Sequence, residues 1–83
     1  MNFTVIWIRE AEYDLTRIWL QAVDRTVIAK AAHEIEAQLK IAPLQVGESR
    51  SGGQRVIFSS PLGASYVCSQ DDRAVYVIDV WSY

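Results

Sequence analysis

The stretch RVIFSSPLGASYVCSQDDRAVYVIDVW, residues 55–81, decides the fold. It contains three apolar runs rich in β-branched and aromatic residues, which favour β-strands. The runs are RVIFS from Arg55, ASYVCS from Ala64 and AVYVIDVW from Ala74. The connecting segments SPLG and QDDR contain proline, glycine and aspartate, which are common in tight turns. Because short connections join neighbouring strands antiparallel, these residues predict a three-stranded meander.

The residues before the meander predict one more strand and two helices. FTVIWI, residues 3–8, has the β-branched and aromatic composition of a strand. Apolar residues then recur at helical spacing over residues 9–22, and again between Asp24 and Pro43. Asp24 is a good N-cap, and Pro43 ends the second helix. Since only a few residues separate the helices, we expect an antiparallel hairpin, followed by a polar loop at residues 45–54.

The predicted architecture is therefore α+β: a strand, an antiparallel helix hairpin and a three-stranded antiparallel meander, forming one small sheet. The chain has 83 residues, 51% hydrophobic and 22% charged, which fits a single folded domain spanning residues 1–83. A hairpin with one apolar stripe per helix covers only one face of the sheet. We expect the other face to be partly open, as a site for a ligand or a protein partner.

The last strand allows a choice of which face is buried. Its alternation places Tyr76, Ile78 and Val80 on one face, and Val75, Val77, Asp79 and Trp81 on the other. We assign the Ile78 face to the core, because an unpaired Asp79 would be costly to bury. Asp79 is then expected either to pair with an arginine such as Arg55 or to line a site on the open face.

Composition limits the possible partners and chemistry. The formal net charge of −2 argues against long-range electrostatic steering toward RNA or DNA. The single cysteine, Cys68, cannot form an intramolecular disulfide. Without a secretory signal or an apolar run of about 20 residues, we expect a cytoplasmic protein with no membrane association. The chain has no phosphate loop, metal-ligand spacing or Ser-His-Asp set, so we predict no cofactor and no metal.

Several segments resemble the RelE/ParE family of toxins from bacterial toxin–antitoxin, or plasmid stabilisation, systems. VIWIREAEYDLTRIW is similar to the opening strand and first helix of the family, and AHEIEAQLKIAP to its second helix ending at proline. GESRSGGQRVIF and the following PLGASYVCSQDDRAVYVIDVW are similar to its glycine-containing loop and final meander. The resemblance covers nearly the whole chain. It implies a helix hairpin against a mostly antiparallel sheet, and neutralisation by a cognate antitoxin.

The resemblance implies two alternative activities: metal-independent cleavage of messenger RNA on the ribosome, as in RelE, and inhibition of DNA gyrase, as in ParE. The RNA-cleaving members place basic residues on the first meander strand, an arginine at the start of the next strand, and an arginine and a tyrosine near the C-terminus. Arg50, Arg55 and Tyr83 would be the catalytic residues here. The arginines expected after Gly63 and near the C-terminus are absent, and each such loss costs about 3 kcal/mol of transition-state stabilisation. The sequence therefore favours the ParE-like activity.

Arg55, Asp79 and Trp81 are predicted to share the open sheet face and to bind the antitoxin or the target. Trp81 is the natural anchor of such a contact. A third alternative is a degenerate member without toxicity, serving as an interaction or dimerisation module. A homodimer is compatible with each of these hypotheses.

Overall fold

The computed structural model describes residues 2–83. The strands are β1 (Thr4–Trp7), β2 (Glu48–Ser49), β3 (Arg55–Ser59), β4 (Leu62–Ser69) and β5 (Ala74–Ser82). The helices are α1 (Arg9–Gln21) and α2 (Arg25–Ile41), and a short 3₁₀ turn covers Ser51–Gly53. The predicted α+β architecture is confirmed. Across residues 2–83, no helix is both long and apolar enough to cross a bilayer.

The five strands form one mixed sheet in the order β1-β5-β4-β3-β2. The strands β3, β4 and β5 make the predicted antiparallel meander, and β1 joins it parallel to β5. The second strand, which pairs with β3, was missed by the sequence analysis because two residues are too few for a periodic pattern. The sheet brings the chain's first strand beside its last.

Helix α2 begins and ends where the sequence predicts. The Oδ1 atom of Asp24 accepts a hydrogen bond of 3.0 Å from the backbone N–H of Thr26, which caps the helix. The helix ends at Ile41, two residues before the buried Pro43. Because α1 ends at Gln21 and α2 begins at Arg25, the helices form the predicted hairpin.

The two helices cover one face of the sheet, which we call the covered face. The core lies between the helices and this face. The buried helix residues are Ala11, Ile28, Ala31, Ile35 and Leu39, and the strand residues in the same cluster include Ile57, Ala64, Tyr66, Val75, Val77 and Val80. The face carrying neither helix is the open face.

The prediction for the buried face of β5 was wrong for Tyr76 and Ile78. Val75 and Val77 are fully buried on the covered face, and Val80 is buried there too. A β-bulge makes this possible: Tyr66 pairs with Val77 while Ser65 pairs with Asp79, so Ile78 is the extra residue. Strict alternation cannot describe a strand whose inward and outward positions exchange midway.

Candidate functional site

The strands hold two clusters of side chains, one on each face. On the covered face, Tyr66 is fully buried, and its hydroxyl lies 2.7 Å from the carbonyl oxygen of Pro43 and 2.9 Å from that of Val46. The Arg55 guanidinium donates to the Tyr66 hydroxyl at 3.3 Å, and to the carbonyls of Val46 at 3.1 Å and Gly47 at 3.3 Å. Together, Arg55 and Tyr66 fasten the 43–47 loop to the sheet.

Burial reinforces the neutral, protonated state of two groups on this face. It raises the pKa of the Tyr66 phenol, and the hydrogen bond from Arg55 only partly opposes this effect. Burial likewise raises the pKa of the Cys68 thiol, against the opposing charges of Arg73 and Arg55. Tyr66 is therefore a neutral hydroxyl near pH 7, suited to bridging backbone carbonyls, and Cys68 is a neutral thiol with little nucleophilic character.

Arg55 does not share a face with the other two residues of the predicted partner-binding set. It lies opposite Tyr66, which lies opposite Val77 on the covered face. Asp79 and Trp81 follow the bulge on the open face. The expected pairing of Arg55 with Asp79 is therefore wrong, because directly paired residues of neighbouring strands project to the same side and these two project to opposite sides.

An aromatic cluster lies on the open face. The rings of Phe58 and Trp81 meet edge to face with their centroids 6.1 Å apart, and those of Phe58 and Tyr83 meet in the same way at 5.7 Å. Phe58 remains 48% exposed and Tyr83 65% exposed. We call Phe58, Trp81 and Tyr83 the aromatic patch. Phe58 contacts both other rings, Trp81 is half-buried, and Phe58 and Tyr83 leave a large part of their apolar surface available to a partner.

Gly63 supports this patch from the neighbouring strand. It pairs with Trp81, and a Cβ atom at position 63 would lie 2.6–2.7 Å from three atoms of the indole ring. The indole can lie across β4 only because glycine has no side chain. The position of Trp81 therefore depends on the residue opposite it.

The remaining side chains of the open face are polar, apolar or acidic. Asp79 is exposed and pairs in register with the buried Ser65. By the strand register, no arginine or lysine within β1 to β5 projects from this face. A face of aromatic rings with two acids, Asp79 and Glu48, suits protein contact, whereas a surface that binds the phosphate backbone is basic.

The three residues predicted for RNA cleavage are dispersed. Arg50 lies in the loop after β2, where its guanidinium is 3.6 Å from Glu48 and donates to the Ser49 carbonyl at 3.3 Å. Arg55 belongs to the covered face, and Tyr83 packs on Phe58 at the open face. Catalysis requires its acid, base and cations around one reacting phosphate, and this geometry does not assemble the three. Their catalytic role stays a prediction.

Sequence reasoning missed Phe58, Gly63 and Tyr66. Phe58 could have been found from the two-residue period of β3, which separates it from Ile57 on the core side. Gly63 was interpreted as a turn residue, although it lies within β4. Tyr66 carried no signal, because nothing local shows that its hydroxyl reaches a loop 20 residues away. Within residues 2–83, no three His, Cys, Asp or Glu side chains are grouped to ligate a metal.

Comparison with known proteins identifies the fold. No protein-family model and no curated protein sequence matches the chain. Among solved structures, the RelBE2 toxin–antitoxin complex of Mycobacterium tuberculosis aligns with a TM-score of 0.82 at 19% identity, covering 100% of this chain and 93% of that chain. The chromosomal ParDE system of P. aeruginosa aligns at 0.72 and 17% identity, covering 96% and 95%. A mutant of the E. coli toxin RelE in the free state aligns at 0.71 and 16% identity, covering 99% and 84%.

These similarities extend over nearly the full length of each chain, and they include structures of both the RelE and the ParE type. The chain therefore has the RelE/ParE-type toxin fold that the sequence predicts. At identities below one fifth, the similarity establishes the fold, and function must be argued from the site.

Proposed function

We propose that this protein is the toxin of a bacterial toxin–antitoxin system and that it acts by protein contact, through ParE-like inhibition of DNA gyrase or a related target. The fold supports the toxin assignment, because the RelE and ParE structures it resembles are toxins or toxin–antitoxin complexes. The aromatic patch supports the mode of action, since exposed Trp, Tyr and Phe side chains are typical anchors of protein interfaces.

The proposed contact surface is the open face around the aromatic patch. Trp81 is its central anchor, because it is half-buried between Phe58 and Gly63 and its position is held by both. Asp79 offers a carboxylate beside it, suited to a basic residue of the target or the antitoxin. An antitoxin covering this face would neutralise the toxin by occluding the surface that it uses.

RNA cleavage by Arg50, Arg55 and Tyr83 is the rival activity. It is disfavoured because the Arg55 guanidinium already donates to the backbone of the 43–47 loop and lies on the face opposite Tyr83. Withdrawing Arg55 would break its hydrogen bonds to the Val46 and Gly47 carbonyls and to the Tyr66 hydroxyl, each worth about 1 kcal/mol. Because the Arg55 guanidinium is held by these contacts, it is poorly placed to stabilise the charge on a reacting phosphate.

The test is induction of the chain alone in a bacterial culture, with DNA supercoiling and message cleavage followed in parallel. We expect growth arrest with altered supercoiling and intact messages. Trp81→Ala should weaken the target contact by about 30-fold, as expected for an interface anchor worth about 2 kcal/mol. The matched control is Tyr13→Ala, which removes another exposed aromatic ring, on α1 and outside the patch. Thermal melting establishes that both variants fold.

Three outcomes would contradict the proposal. Message cleavage without a change in supercoiling, abolished by Arg55→Ala although that variant stays folded, would establish the ribonuclease. Equal toxicity of Trp81→Ala and the parent would remove the open face from the mechanism. Normal growth with abundant folded protein would favour the interaction module without toxicity.

A further inference from the structure

Strand β5 is longer than the strand beside it at the edge of the sheet. Strand β1 pairs with residues 74–77 alone, and the last hydrogen bond between them runs from the Ile8 N–H to the Val77 carbonyl at 3.1 Å. The chain then leaves the sheet and begins α1 at Arg9. Residues 78–82 of β5 therefore pair with β4 on one side and with no strand on the other. We call this segment the free edge of β5.

The hydrogen bonds of the sheet fix where the backbone groups of the free edge point. The Tyr83 N–H donates to the Pro61 carbonyl at 2.9 Å, on the side of β4. Because alternate residues of a strand direct their backbone groups to opposite sides, Val80 and Ser82 direct theirs away from β4. In the described part of the chain, no group forms a hydrogen bond with these two N–H groups and two carbonyls. They are available to a partner, as the groups of an unpaired edge are.

The free edge opens into a cavity between β5 and the last turns of α1. The cavity has a volume of about 350 Å³ and is lined by Arg17, Ile18, Gln21, Val80, Trp81 and Ser82. The Arg17 guanidinium donates to the Asp14 carboxylate at 2.9 Å, so its charge is already compensated. The cavity therefore offers hydrogen-bonding groups on both walls and little net charge.

We propose that the free edge of β5 binds an extended segment of a partner protein, which adds to the sheet as a strand in line with β1. The backbone of this segment donates to the carbonyls of Val80 and Ser82 and accepts from their N–H groups. Its side chains project alternately to the two sides of the sheet. Those beside Trp81 on the open face are apolar, and those facing Arg17 and Gln21 are polar.

Hydrogen bonding selects a polypeptide backbone over other occupants. Val80 and Ser82 each present a donor and an acceptor, at the two-residue spacing that an extended chain complements. A free anion would accept from the N–H groups but would meet the carbonyl oxygens, and the positive charge of Arg17 is compensated by Asp14. Trp81 lines this cavity and also belongs to the aromatic patch, so a strand bound here continues onto that surface. The inference goes beyond the proposed function and does not rest on it, because it requires no toxicity.

The test is a titration of the full chain, labelled with nitrogen-15 during cell-free synthesis, with the peptide acetyl-Thr-Val-Gln-Val-Thr-amide. Its alternation of polar and apolar residues matches the two sides of the free edge. We expect the amide signals of Val80 and Ser82 to shift and their hydrogens to exchange more slowly, with a dissociation constant of about 1 mM. Absence of any shift at about 5 mM peptide, or shifts confined to the helices, would overturn the proposal.

A pair of variants at one position tests the backbone contact. Ser82→Pro removes an N–H that makes no bond within the sheet, and proline is tolerated at such edge positions. It should weaken peptide binding by at least about fivefold, since a peptide carbonyl loses its donor. Ser82→Ala is the matched control: it keeps the N–H and should bind like the parent. Far-UV circular dichroism shows whether both variants are folded, and equal binding by two folded variants would contradict the proposed strand pairing.

Modifying the peptide provides a second test that leaves the protein unchanged. A peptide with the same side chains and every amide N-methylated should not bind, because it lacks the donors for the carbonyls of the free edge. Binding equal to that of the parent peptide would overturn the proposal. So would a dimer of the chain alone that Ser82→Pro disrupts and Ser82→Ala retains, because the occupant would then be a second copy. Since these measurements do not involve toxicity, their failure would leave the proposed function standing.

Discussion

The two faces of the sheet use their large side chains in opposite ways. On the covered face, Tyr66 and Arg55 donate hydrogen bonds to the backbone carbonyls of the 43–47 loop. On the open face, Phe58, Trp81 and Tyr83 contact one another while leaving apolar surface exposed. Arg55, the charged residue that most resembles a catalytic group, thus stabilises the 43–47 loop. The aromatic residues of the open face form the surface most suited to a partner.

The largest stability effect should come from Tyr66→Phe on the covered face. The change removes the hydroxyl that bridges Pro43 and Val46 and accepts from Arg55, leaving these groups partly unsatisfied. We expect the free energy of unfolding to fall by about 2 kcal/mol, measured by urea denaturation. Tyr76→Phe, which removes a tyrosine hydroxyl on the open face, is the control and should change little. Equal losses in the two variants would remove the contrast between the faces.

Gly63→Ala should have a smaller effect on stability and act mainly on the open face. The added Cβ would lie within 2.7 Å of the Trp81 indole, which must move. We expect a loss of about 1 kcal/mol, together with weaker partner binding. In a Trp81→Ala background the same change should cost much less, because the clashing ring is gone. If the cost of Gly63→Ala is the same in both backgrounds, the indole does not depend on Gly63.

Alkaline pH should loosen the covered face gradually. Tyr66 has a pKa raised above its usual value of about 10, so its contribution to stability is intact below that pH and is lost as the pH rises through the folded-state pKa. Cys68, whose pKa is also raised by burial, acts in the same direction from about pH 8.5. We expect the free energy of unfolding to decrease as the pH rises above about 8.5, and to decrease further above about 10. Tyr66→Phe should flatten the upper part of this curve, and parallel curves would contradict the assignment.

The order of elements could be predicted almost completely from the sequence, because it depends on local signals. Helical and two-residue periods, the Asp24 cap and the stop at Pro43 each act over a few residues. The meander followed from short turns that leave neighbouring strands no other pairing. The β-bulge at Ile78 escaped prediction because it arises from pairing between β4 and β5, which no local pattern encodes.

The candidate site was predictable only in part. Trp81 and Asp79 were placed on the open face by alternation and are found there, with the bulge compensating for the wrong assignment of the residues before it. Arg55 was placed with them because it begins a strand near the end of a polar loop. Its true neighbours, Tyr66 and the 43–47 loop, reach it only through folding.

The sequence by itself determined the element order, the helix hairpin, the antiparallel meander and the α+β class, since each rests on chemistry between near neighbours in the chain. Only the tertiary structure decided which face each strand residue occupies, what Arg55 binds, and that Phe58, Gly63, Trp81 and Tyr83 form one surface. These outcomes depend on strand register and on contacts between distant residues. A shift of one residue there exchanges the two faces, and no local pattern reports it.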